Sequence, residues 1–299
     1  MTEAGRDPSD LGAILGRALA ESTGSAWTLH APTPLGGGST DQVLRWSTPR
    51  GAVVSKSGRG GPASRFQAEA RQLARLAESE GLVIPEVLAV QSPSPESALG
   101  FIVMRYLEPA PRSPAFDEAL GRGLATLHRS SAPRFGFDVT TFCGRTEQPN
   151  PWGDDWVAFY REHRLGVQRR LLTDRGQLGG RDARAFDRLL DGLEAWLSPG
   201  APSLIHGDLW SGNALSTAEG PALIDPAAYF AHREAELGMT SLMGGFSPRM
   251  VAAYDEAWPL EPGWQERLPL YQLWHLANHA TLFGGGYLRQ SMEIVDRFV

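Results

Sequence analysis

Two neighbouring segments constrain the fold of this chain more than any other feature. HGDLWSGNAL covers residues 206–215 and LIDPA covers residues 223–227. Each joins apolar residues to polar ones, as expected where short buried strands end in loops. Asp208 and Asn213 stand in the spacing D-x-x-x-x-N, the spacing of the kinase catalytic loop H-R-D-x-x-x-x-N. The pattern predicts a loop between short strands that directs polar side chains at a phosphate.

A third polar residue completes this group. Asp225 follows the apolar run 222–224 and occupies the position of the D-F-G aspartate. In phosphoryl transfer, Mg²⁺ neutralises the charge of the transferred group while a carboxylate orients the attacking hydroxyl. We expect Asp208 to accept the proton and Asn213 with Asp225 to bind Mg²⁺. Each residue alone could be a turn former, but their order and spacing favour a phosphotransferase.

The composition is that of a globular protein long enough for two lobes. The chain has 299 residues, of which 42% are hydrophobic and 21% charged, and its formal net charge is −6. This charge provides no basic surface for nucleic acid, so a ligand such as ATP has to be held by local groups and metal. The single cysteine, Cys143, suits a reducing cytoplasm. The polar first residues predict no secretory signal.

A glycine-rich segment lies where one strand would turn into the next. It consists of Gly36, Gly37 and Gly38 followed by Ser39, and the returning strand is predicted at 43–46. Glycines at such a turn let backbone amides approach phosphate without a Cβ in the way. A glycine triplet alone is weak evidence, because most are flexible turns.

The strand predicted at 52–57 contains VVSK, which is close to the V-A-I-K of kinases. Lys56 in this segment is the only lysine of the chain, although Lys and Arg together number 28. A site built for one compact ammonium group can exclude the larger, forked guanidinium. We therefore expect Lys56 to contact phosphates and Glu69, on the following helix, to pair with it.

The apolar run 101–107 predicts a buried strand that leads into a proline-rich connector. Such a connector suits a hinge, where Met104, Arg105 and Tyr106 would offer backbone groups to adenine. The lobe boundary is therefore expected near residue 108. The rest of the chain is predicted to be mainly helical, with helices at 155–168, 183–197, 232–242, 248–258 and 265–282.

The uncharged segment 268–288 is long enough to span a bilayer. Its polar residues and three glycines would be costly in hydrocarbon, so a buried helix is predicted and no membrane association is expected. His275 and His279 share one helix face, as zinc ligands can. The Glu of H-E-x-x-H is absent and no third ligand is evident, so buried histidines with a structural or substrate-lining role are favoured.

The interval between Asp225 and the helix near Glu234 leaves no room for the activation segment of protein kinases, which indicates a small-molecule acceptor. At this point the sequence resembles the fructosamine kinases, or ketosamine-3-kinases. The matching segments include LIHGDLWSGNAL, LIDPAAYFAHREAELGMTSLMGGF, QPNPWGDDWVAFYREHRL and LYQLWHLANHATLFGGGY. The resemblance covers nearly the whole chain after about residue 10.

The resemblance implies an α+β, bilobal protein-kinase-like fold. Residues 1–107 would form a small nucleotide-binding lobe with an antiparallel sheet plus a helix, and residues 108–299 a larger, mainly helical catalytic lobe. It implies ATP- and Mg²⁺-dependent phosphorylation of the 3-hydroxyl of a ketoamine, either a small molecule or protein-linked. It makes Asp208 the base, Asn213 and Asp225 the metal ligands, and Lys56 the phosphate clamp. Candidates for contacts with the acceptor are Trp210, Asn150, Trp152, Glu234 and His279.

Two alternatives remain open from the sequence. An aminoglycoside, choline or homoserine kinase-like enzyme would keep the fold and change the acceptor. A nucleotide-binding module without catalysis is the alternative from another class, and the presence of Lys56, Asp208, Asn213 and Asp225 together argues against it. The oligomeric state, the amine moiety and the choice between a fructosyl and a ribulosyl sugar are not encoded in any recognisable pattern.

Overall fold

The computed structural model describes residues 8–36, 41–95 and 97–299. The chain forms two compact units, one comprising Met1–Glu78 and Ile84–Pro109 and the other Ser79–Val83 and Ala110–Val299. The predicted mixture of an antiparallel sheet with helices is confirmed. The assignment of the two predicted lobes to nucleotide binding and catalysis stays a prediction.

The first unit is a five-stranded antiparallel sheet with two helices. Its elements are α1 (Pro8–Thr23), β1 (His30–Pro34), β2 (Gln42–Ser47), β3 (Val53–Arg59), α2 (Arg65–Leu76), β4 (Val87–Gln91) and β5 (Leu99–Arg105). The strand order is β1-β2-β3-β5-β4. The strands predicted at 43–46, 52–57 and 101–107 correspond to β2, β3 and β5.

Alternation along β5 explains why a helix covers each face of this sheet. Phe101 and Val103 point to one face, where they share a core cluster with leucines of α1. Ile102 and Met104 point to the other face and pack with Phe66 of α2. Successive strand residues face opposite sides, so a strand buried on both faces is apolar throughout, as the run FIVM is.

The second unit is mainly helical, with three short strand pairs. Its helices are α3 (Phe116–His128), α4 (Trp156–Tyr160), α5 (Gly166–Asp174), α6 (Gly180–Asp191), α7 (Glu234–Leu242), α8 (Pro248–Ala257), α9 (Trp264–Phe283) and α10 (Tyr287–Arg297). A π-helical turn (Arg161–Leu165) joins α4 to α5, and a 3₁₀ turn (Leu193–Ala195) follows α6. The strands are β6 (Thr141–Cys143), β7 (Thr146–Gln148), β8 (Ser203–Ile205), β9 (Ala214–Thr217), β10 (Gly220–Leu223) and β11 (Tyr229–Ala231).

The strand pairs β9–β10 and β8–β11 lie at the ends of segments 206–215 and 223–227. β8 leads into residues 206–213, and β10 leads into Asp225. Ile224 N–H donates to Asn213 O at 3.0 Å, which ties the two segments together. The predicted helices in this half correspond to α4 to α9. Residues 268–283 of the uncharged segment lie in the largely buried helix α9, and residues 284–288 form a turn and the start of α10. Among the described residues no helix has the length and apolar character needed to cross a bilayer.

Aromatic side chains around Trp156 form the centre of the second unit. Trp156 is fully buried and contacts Tyr160, Tyr271 and His232. The His232 ring stacks on Tyr271 with a centroid distance of 6.1 Å, and His232 Nδ1 accepts from Glu234 N–H at 3.2 Å. Burial, reinforced by the positive charge of Arg267, lowers the pKa of His232 to about 4. This core therefore contains an imidazole that stays neutral when folded.

We expect His232 to make stability pH-dependent below neutrality. Between the ordinary histidine pKa of 6.5 and the folded pKa of about 4, the unfolded chain binds a proton that the folded chain does not. The free energy of unfolding therefore falls as the pH drops through this window, by about 3 kcal/mol for this group in total. Urea unfolding at about pH 7.5 and about pH 5 measures this change. Between the two pH values, the free energy of unfolding should fall less in His232→Gln than in the wild type. Equal losses in the two proteins would contradict this role of His232.

Candidate active site

The loop after β8 adopts a backbone conformation that requires its glycine. Gly207 has φ +81°, and a Cβ added there would lie 2.2 Å from Ala227 O. Ala227 N–H donates to His206 O at 2.9 Å and holds the two segments at this separation. Both the left-handed conformation and the close approach exclude a side chain. Gly207 stands where the kinase motif H-R-D has an arginine, and this position has no room for a side chain.

A buried carboxylate on α7 holds this loop. Glu236 accepts from the N–H of His206 through Oε2 and from the N–H of Gly207 through Oε1, the latter at 3.1 Å. Glu236 is buried, and His128 Nε2 lies 3.7 Å from its Oε2. Hydrogen bonds from backbone amides to a charged acceptor are stronger than neutral ones. Glu236 therefore fixes the backbone immediately before Asp208.

The carboxyl group of Asp208 lies in a largely buried, negatively charged environment. Its side chain is 21% exposed, and His275 Nδ1 lies 4.0 Å from its Oδ1. Burial, followed by the charges of Glu236 and Asp225, raises the pKa of Asp208 to about 7. A carboxylate whose pKa is raised towards neutrality is a better proton acceptor than an ordinary one. Asp208 thus has the electrostatic character of a general base.

Asn213 and Asp225 lie near Asp208, and their side chains carry oxygen atoms that could bind a metal ion. Asn213 Nδ2 donates to Asp208 O at 2.9 Å. This bond uses the nitrogen of the amide, so the oxygen Oδ1 is the atom that could bind a metal ion. His206 Nε2 donates to Ile224 O at 2.8 Å, which brings the residue before Asp225 to the catalytic loop. Asp225 has φ +55°, an uncommon conformation for a non-glycine residue that occurs at functional sites. An amide oxygen and a carboxylate fit Mg²⁺, which prefers oxygen ligands.

In the first unit, Lys56 and Glu69 form an ion pair. Lys56 Nζ lies 2.5 Å from Glu69 Oε1, and the two side chains are 14% and 16% exposed. Lys56 is on β3 and Glu69 is on α2. A partly buried pair loses little strength to solvent screening, so the ammonium group is held in a defined position.

The other predicted nucleotide contacts stay predictions. Gly36 lies in a bend after β1, whereas Gly37, Gly38 and Ser39 lie outside the described residues. Met104 is buried in β5. The N–H groups of Arg105 and Tyr106 donate to Glu86 O and Ala52 O at 2.9 and 3.1 Å. These two N–H groups donate within the first unit, and the predicted contacts of the backbone at residues 104–106 with adenine stay a prediction.

Two tryptophans among the acceptor candidates are accessible. Trp210, in the catalytic loop, is 39% exposed, and a Cβ added at Gly212 would lie 2.3 Å from its ring. One part of the Trp210 indole therefore packs on Gly212. Trp152 is 38% exposed and lies 6.0 Å from the ring of Phe230. Each indole therefore packs against a neighbouring residue on one side and exposes part of its surface to solvent.

Asn150 and Glu234 have structural partners instead of exposed polar atoms. Asn150 Nδ2 donates to Val139 O and Thr141 Oγ1, and its Oδ1 accepts from the buried Arg164 at 2.6 Å. Glu234 is 1% exposed, and its two oxygens accept from Arg267 at 2.6 and 2.8 Å. These contacts give both side chains partners within the protein, and the predicted contact of either residue with the acceptor stays a prediction.

His279 is partly buried on α9. Its Nδ1 donates to His275 O at 2.7 Å, and its ring lies against Phe283 and Tyr287. Its predicted contact with the acceptor stays a prediction.

Sequence reasoning missed Glu236, Cys143 and the position of His275 beside Asp208. No fixed spacing links these residues to the catalytic loop, because β6, α7 and α9 approach it through the tertiary fold. The segment EAEL in α7 contains two glutamates, and only the structure separates Glu236, which holds the loop, from Glu234, which pairs with Arg267.

Comparison with known proteins gives matches over almost the whole chain. The family model for fructosamine kinase matches residues 13–299. A probable ketoamine kinase of Vibrio parahaemolyticus is 38% identical over 237 residues, covering 79% of this chain and 81% of the relative. The chloroplastic protein-ribulosamine 3-kinase of Oryza sativa subsp. indica is 37% identical over 286 residues, covering 92% of this chain and 81% of the relative.

Solved structures give the same result for the fold. A Thermobifida fusca protein assigned to fructosamine-3-kinase has a TM-score of 0.86 and 31% identity, covering 94% of this chain and 97% of that one. The aminoglycoside phosphotransferase APH(4)-Ia has a TM-score of 0.65 and 17% identity, with 96% and 99% coverage, and shows a similar fold alone. The predicted protein-kinase-like fold is confirmed.

Glu236→Gln should lower turnover with little effect on nucleotide affinity. The glutamine nitrogen cannot accept an N–H bond, so one of the two loop amides loses its acceptor and Asp208 loses its fixed position. We expect kcat to fall by roughly tenfold or more and KM for ATP to change by less than about threefold. Steady-state kinetics with Glu234→Gln as the matched α7 variant tests this. If Glu234→Gln lowers kcat as much as Glu236→Gln, the loop-positioning role is wrong.

Proposed function

This chain belongs to the fructosamine kinase family, and on that premise we propose that it transfers the γ-phosphoryl group of ATP to the 3-hydroxyl of a ketoamine, with Asp208 as the base. The supporting observation is that burial and the charges of Glu236 and Asp225 raise the pKa of Asp208 to about 7. The family model matches the chain that contains this residue from residue 13 to residue 299. The relatives named as a ketoamine kinase and a ribulosamine 3-kinase support the same acceptor class.

In the proposed reaction, Asp208 accepts the proton of the attacking sugar hydroxyl. Its raised pKa of about 7 suits it to take a proton at neutral pH and release it after transfer. Glu236 contributes by holding the amides of His206 and Gly207, which fixes the direction of the Asp208 side chain. Orientation is the main contribution that a protein makes to phosphoryl transfer.

Asn213 Oδ1 and the Asp225 carboxylate would hold Mg²⁺ that accompanies ATP. Both are hard oxygen donors beside the base, and no sulfur or nitrogen ligand is needed from this pair. When bound, Mg²⁺ supplies charge neutralisation for the phosphate oxygens. Lys56, oriented by Glu69, would contact the phosphates as the compact cation of the first unit.

Trp210 and Trp152 are the residues that we propose for recognition of the acceptor. Both expose indole surface, and an aromatic face suits the apolar C–H surface of a sugar. The acceptor would be a ketoamine, either free or attached to a protein. The buried free thiol of Cys143 is consistent with a reducing compartment such as the cytoplasm, where we propose that the protein acts.

The function is tested by ATP-dependent phosphorylation of matched fructosyl and ribulosyl amines, with an aminoglycoside panel in parallel. We expect ³²P transfer to a ketoamine and NMR assignment of the product phosphate to the 3-oxygen of the sugar. Transfer to aminoglycosides and to no ketoamine would overturn the proposal in favour of the related acceptor class. ATP binding without transfer to any of these acceptors would favour a non-catalytic module.

Replacement of Asp208 by Asn should abolish most turnover and preserve nucleotide binding. Asparagine keeps the size of the side chain but cannot accept a proton. Proton acceptance stabilises the transition state and not the bound nucleotide, so turnover should fall while affinity is kept. We expect kcat to fall by roughly a thousandfold and the Kd of ATP to change by less than about threefold. Single-turnover rates with isothermal titration calorimetry provide the measurement, and retention of wild-type turnover would exclude Asp208 as the base.

Replacement of Lys56 by Arg should impair the use of ATP although the charge is kept. The guanidinium group is larger and forked, and it cannot reproduce the compact contact of Lys56 Nζ with Glu69 Oε1. We expect kcat/KM for ATP to fall by roughly tenfold or more. Arg59→Lys, at the end of the same strand, is the matched control and should keep wild-type kinetics. Equal kinetics for Lys56→Arg and the wild type would rule out the phosphate contact.

A further inference from the structure

Three side chains of types that bind transition metals meet at Asp208. Cys143, Asp208 and His275 each offer one ligand atom, and these atoms all lie within 4.8 Å of one another. Cys143 ends β6, Asp208 follows β8 and His275 lies on α9, so three separate elements converge on one point. This cluster differs from the proposed Mg²⁺ ligands, which are all oxygen atoms.

His275 has an unsatisfied nitrogen directed into this cluster. Its side chain is buried, and its Nδ1 has no hydrogen-bond partner although it lies 4.0 Å from Asp208 Oδ1. Burial, with a smaller effect from His279, lowers the pKa of His275 to about 3, so the ring is neutral at physiological pH. A buried nitrogen without a partner is costly, and a neutral imidazole nitrogen is a common metal ligand. The unpaired Nδ1 is therefore an independent indication of a ligand.

Cys143 supplies the sulfur. It is a buried free thiol, and its Sγ accepts a hydrogen bond from Asn278 Nδ2 at 3.4 Å. Burial raises the pKa of this thiol well above its usual value, so the sulfur keeps its proton until a cation replaces it. The partly exposed side chain of Asp208 provides access to the cluster from solvent.

We propose that Cys143, Asp208 and His275 form a Zn²⁺ site whose occupation inhibits the enzyme. A thiolate, an imidazole and a carboxylate select Zn²⁺ over Mg²⁺, and three protein ligands leave a fourth tetrahedral position for water. Zinc–ligand bonds are about 2.0–2.3 Å long, so two donors at tetrahedral positions around one Zn²⁺ lie roughly 3.3–3.7 Å apart. The donor atoms now lie within 4.8 Å of one another, so the widest pair needs to approach by roughly 1 Å or slightly more.

Binding changes the state of two ligands. The Cys143 S–H bond breaks, its proton goes to solvent, and the thiolate electron pair forms the S–Zn bond. A carboxylate lone pair of Asp208 forms the O–Zn bond and is then no longer available to take the substrate proton. This consequence rests on the proposed function of Asp208 as the base, whereas formation of the site does not.

Cobalt substitution tests the site without any use of activity. Because Cys143 is the only cysteine, a thiolate-to-Co²⁺ charge-transfer band in the near ultraviolet can arise from this residue alone. The full-length protein with Co²⁺, in a buffer with a thiol-free reductant, should show this band together with the visible bands of a tetrahedral site. Cys143→Ser should lose the charge-transfer band, and His275→Gln should lose the tetrahedral bands. His163→Gln is the matched control, since His163 also lies near a carboxylate, with Nε2 3.8 Å from Glu162 Oε2.

Zinc titration of turnover tests the inhibition. With MgATP in excess and free Zn²⁺ set by a metal buffer, each variant is compared with its own zinc-free rate. We expect Cys143→Ser to raise the Zn²⁺ concentration for half-inhibition by at least about tenfold and His163→Gln to leave it unchanged. Inhibition that persists in Cys143→Ser would indicate zinc bound to ATP or elsewhere and would overturn the proposal.

The two measurements separate this inference from the proposed function. A cobalt spectrum that depends on Cys143 and His275, found in a protein without ketoamine kinase activity, would support the metal site and refute the function. Ketoamine kinase activity with no thiolate-to-cobalt band would refute the metal site and leave the function intact.

Discussion

The contact of Glu236 with the amides of His206 and Gly207 is the interaction on which the geometry of the loop around Asp208 depends. A buried carboxylate is expensive to desolvate, so it persists where its oxygens have strong partners. Here the partners are the backbone groups immediately before Asp208. The same carboxylate lies near His128, whose Nδ1 is 2.8 Å from the hydroxyl of Tyr254. Through these contacts α7, α3 and α8 all support one loop.

This arrangement makes the site electrostatically costly. The charges of Glu236 and Asp225 both raise the pKa of Asp208, and burial raises it further. Repulsion among these carboxylates gives Asp208 a pKa near neutrality, which suits the role of base that we propose for it. A bound divalent cation would relieve part of that repulsion, and the type of cation then matters. Oxygen ligands at Asn213 and Asp225 suit Mg²⁺, whereas the sulfur and nitrogen of Cys143 and His275 suit softer ions.

Local patterns in the sequence predicted the parts of the molecule that depend on neighbouring residues. The helices of the second unit follow from apolar periodicity, and the spacing between Asp208 and Asn213 predicted one loop, whose Asn213 bonds to Asp208 O. Lys56 and Glu69 were expected to pair because kinases pair the lysine of this strand with a glutamate of the following helix, and the two side chains do form an ion pair. Contacts between distant segments were not predictable in this way.

Asn150 and Glu234 illustrate the limit most clearly. The resemblance to the fructosamine kinases suggested contacts with the acceptor, but nothing in the sequence indicated that Arg164 and Arg267 would bond to these two side chains. Conversely, nothing in the order of residues indicated that α7 would direct Glu236 at the catalytic loop. The strands β6 and β7 were likewise missed, because strands of three residues are too short for a periodic pattern to be distinctive.

Amide hydrogen exchange measured by NMR tests the central claim most directly, because it reports the hydrogen bonds of individual N–H groups. In the wild type we predict strong protection of the His206 and Gly207 amides, which donate to Glu236. In Glu236→Gln these amides should exchange faster, while Gly153, whose N–H donates to Phe135 O and not to the loop, serves as the internal reference for an intact fold. Unchanged protection of both amides in the folded variant would contradict the account, because the loop would then be held by something other than Glu236.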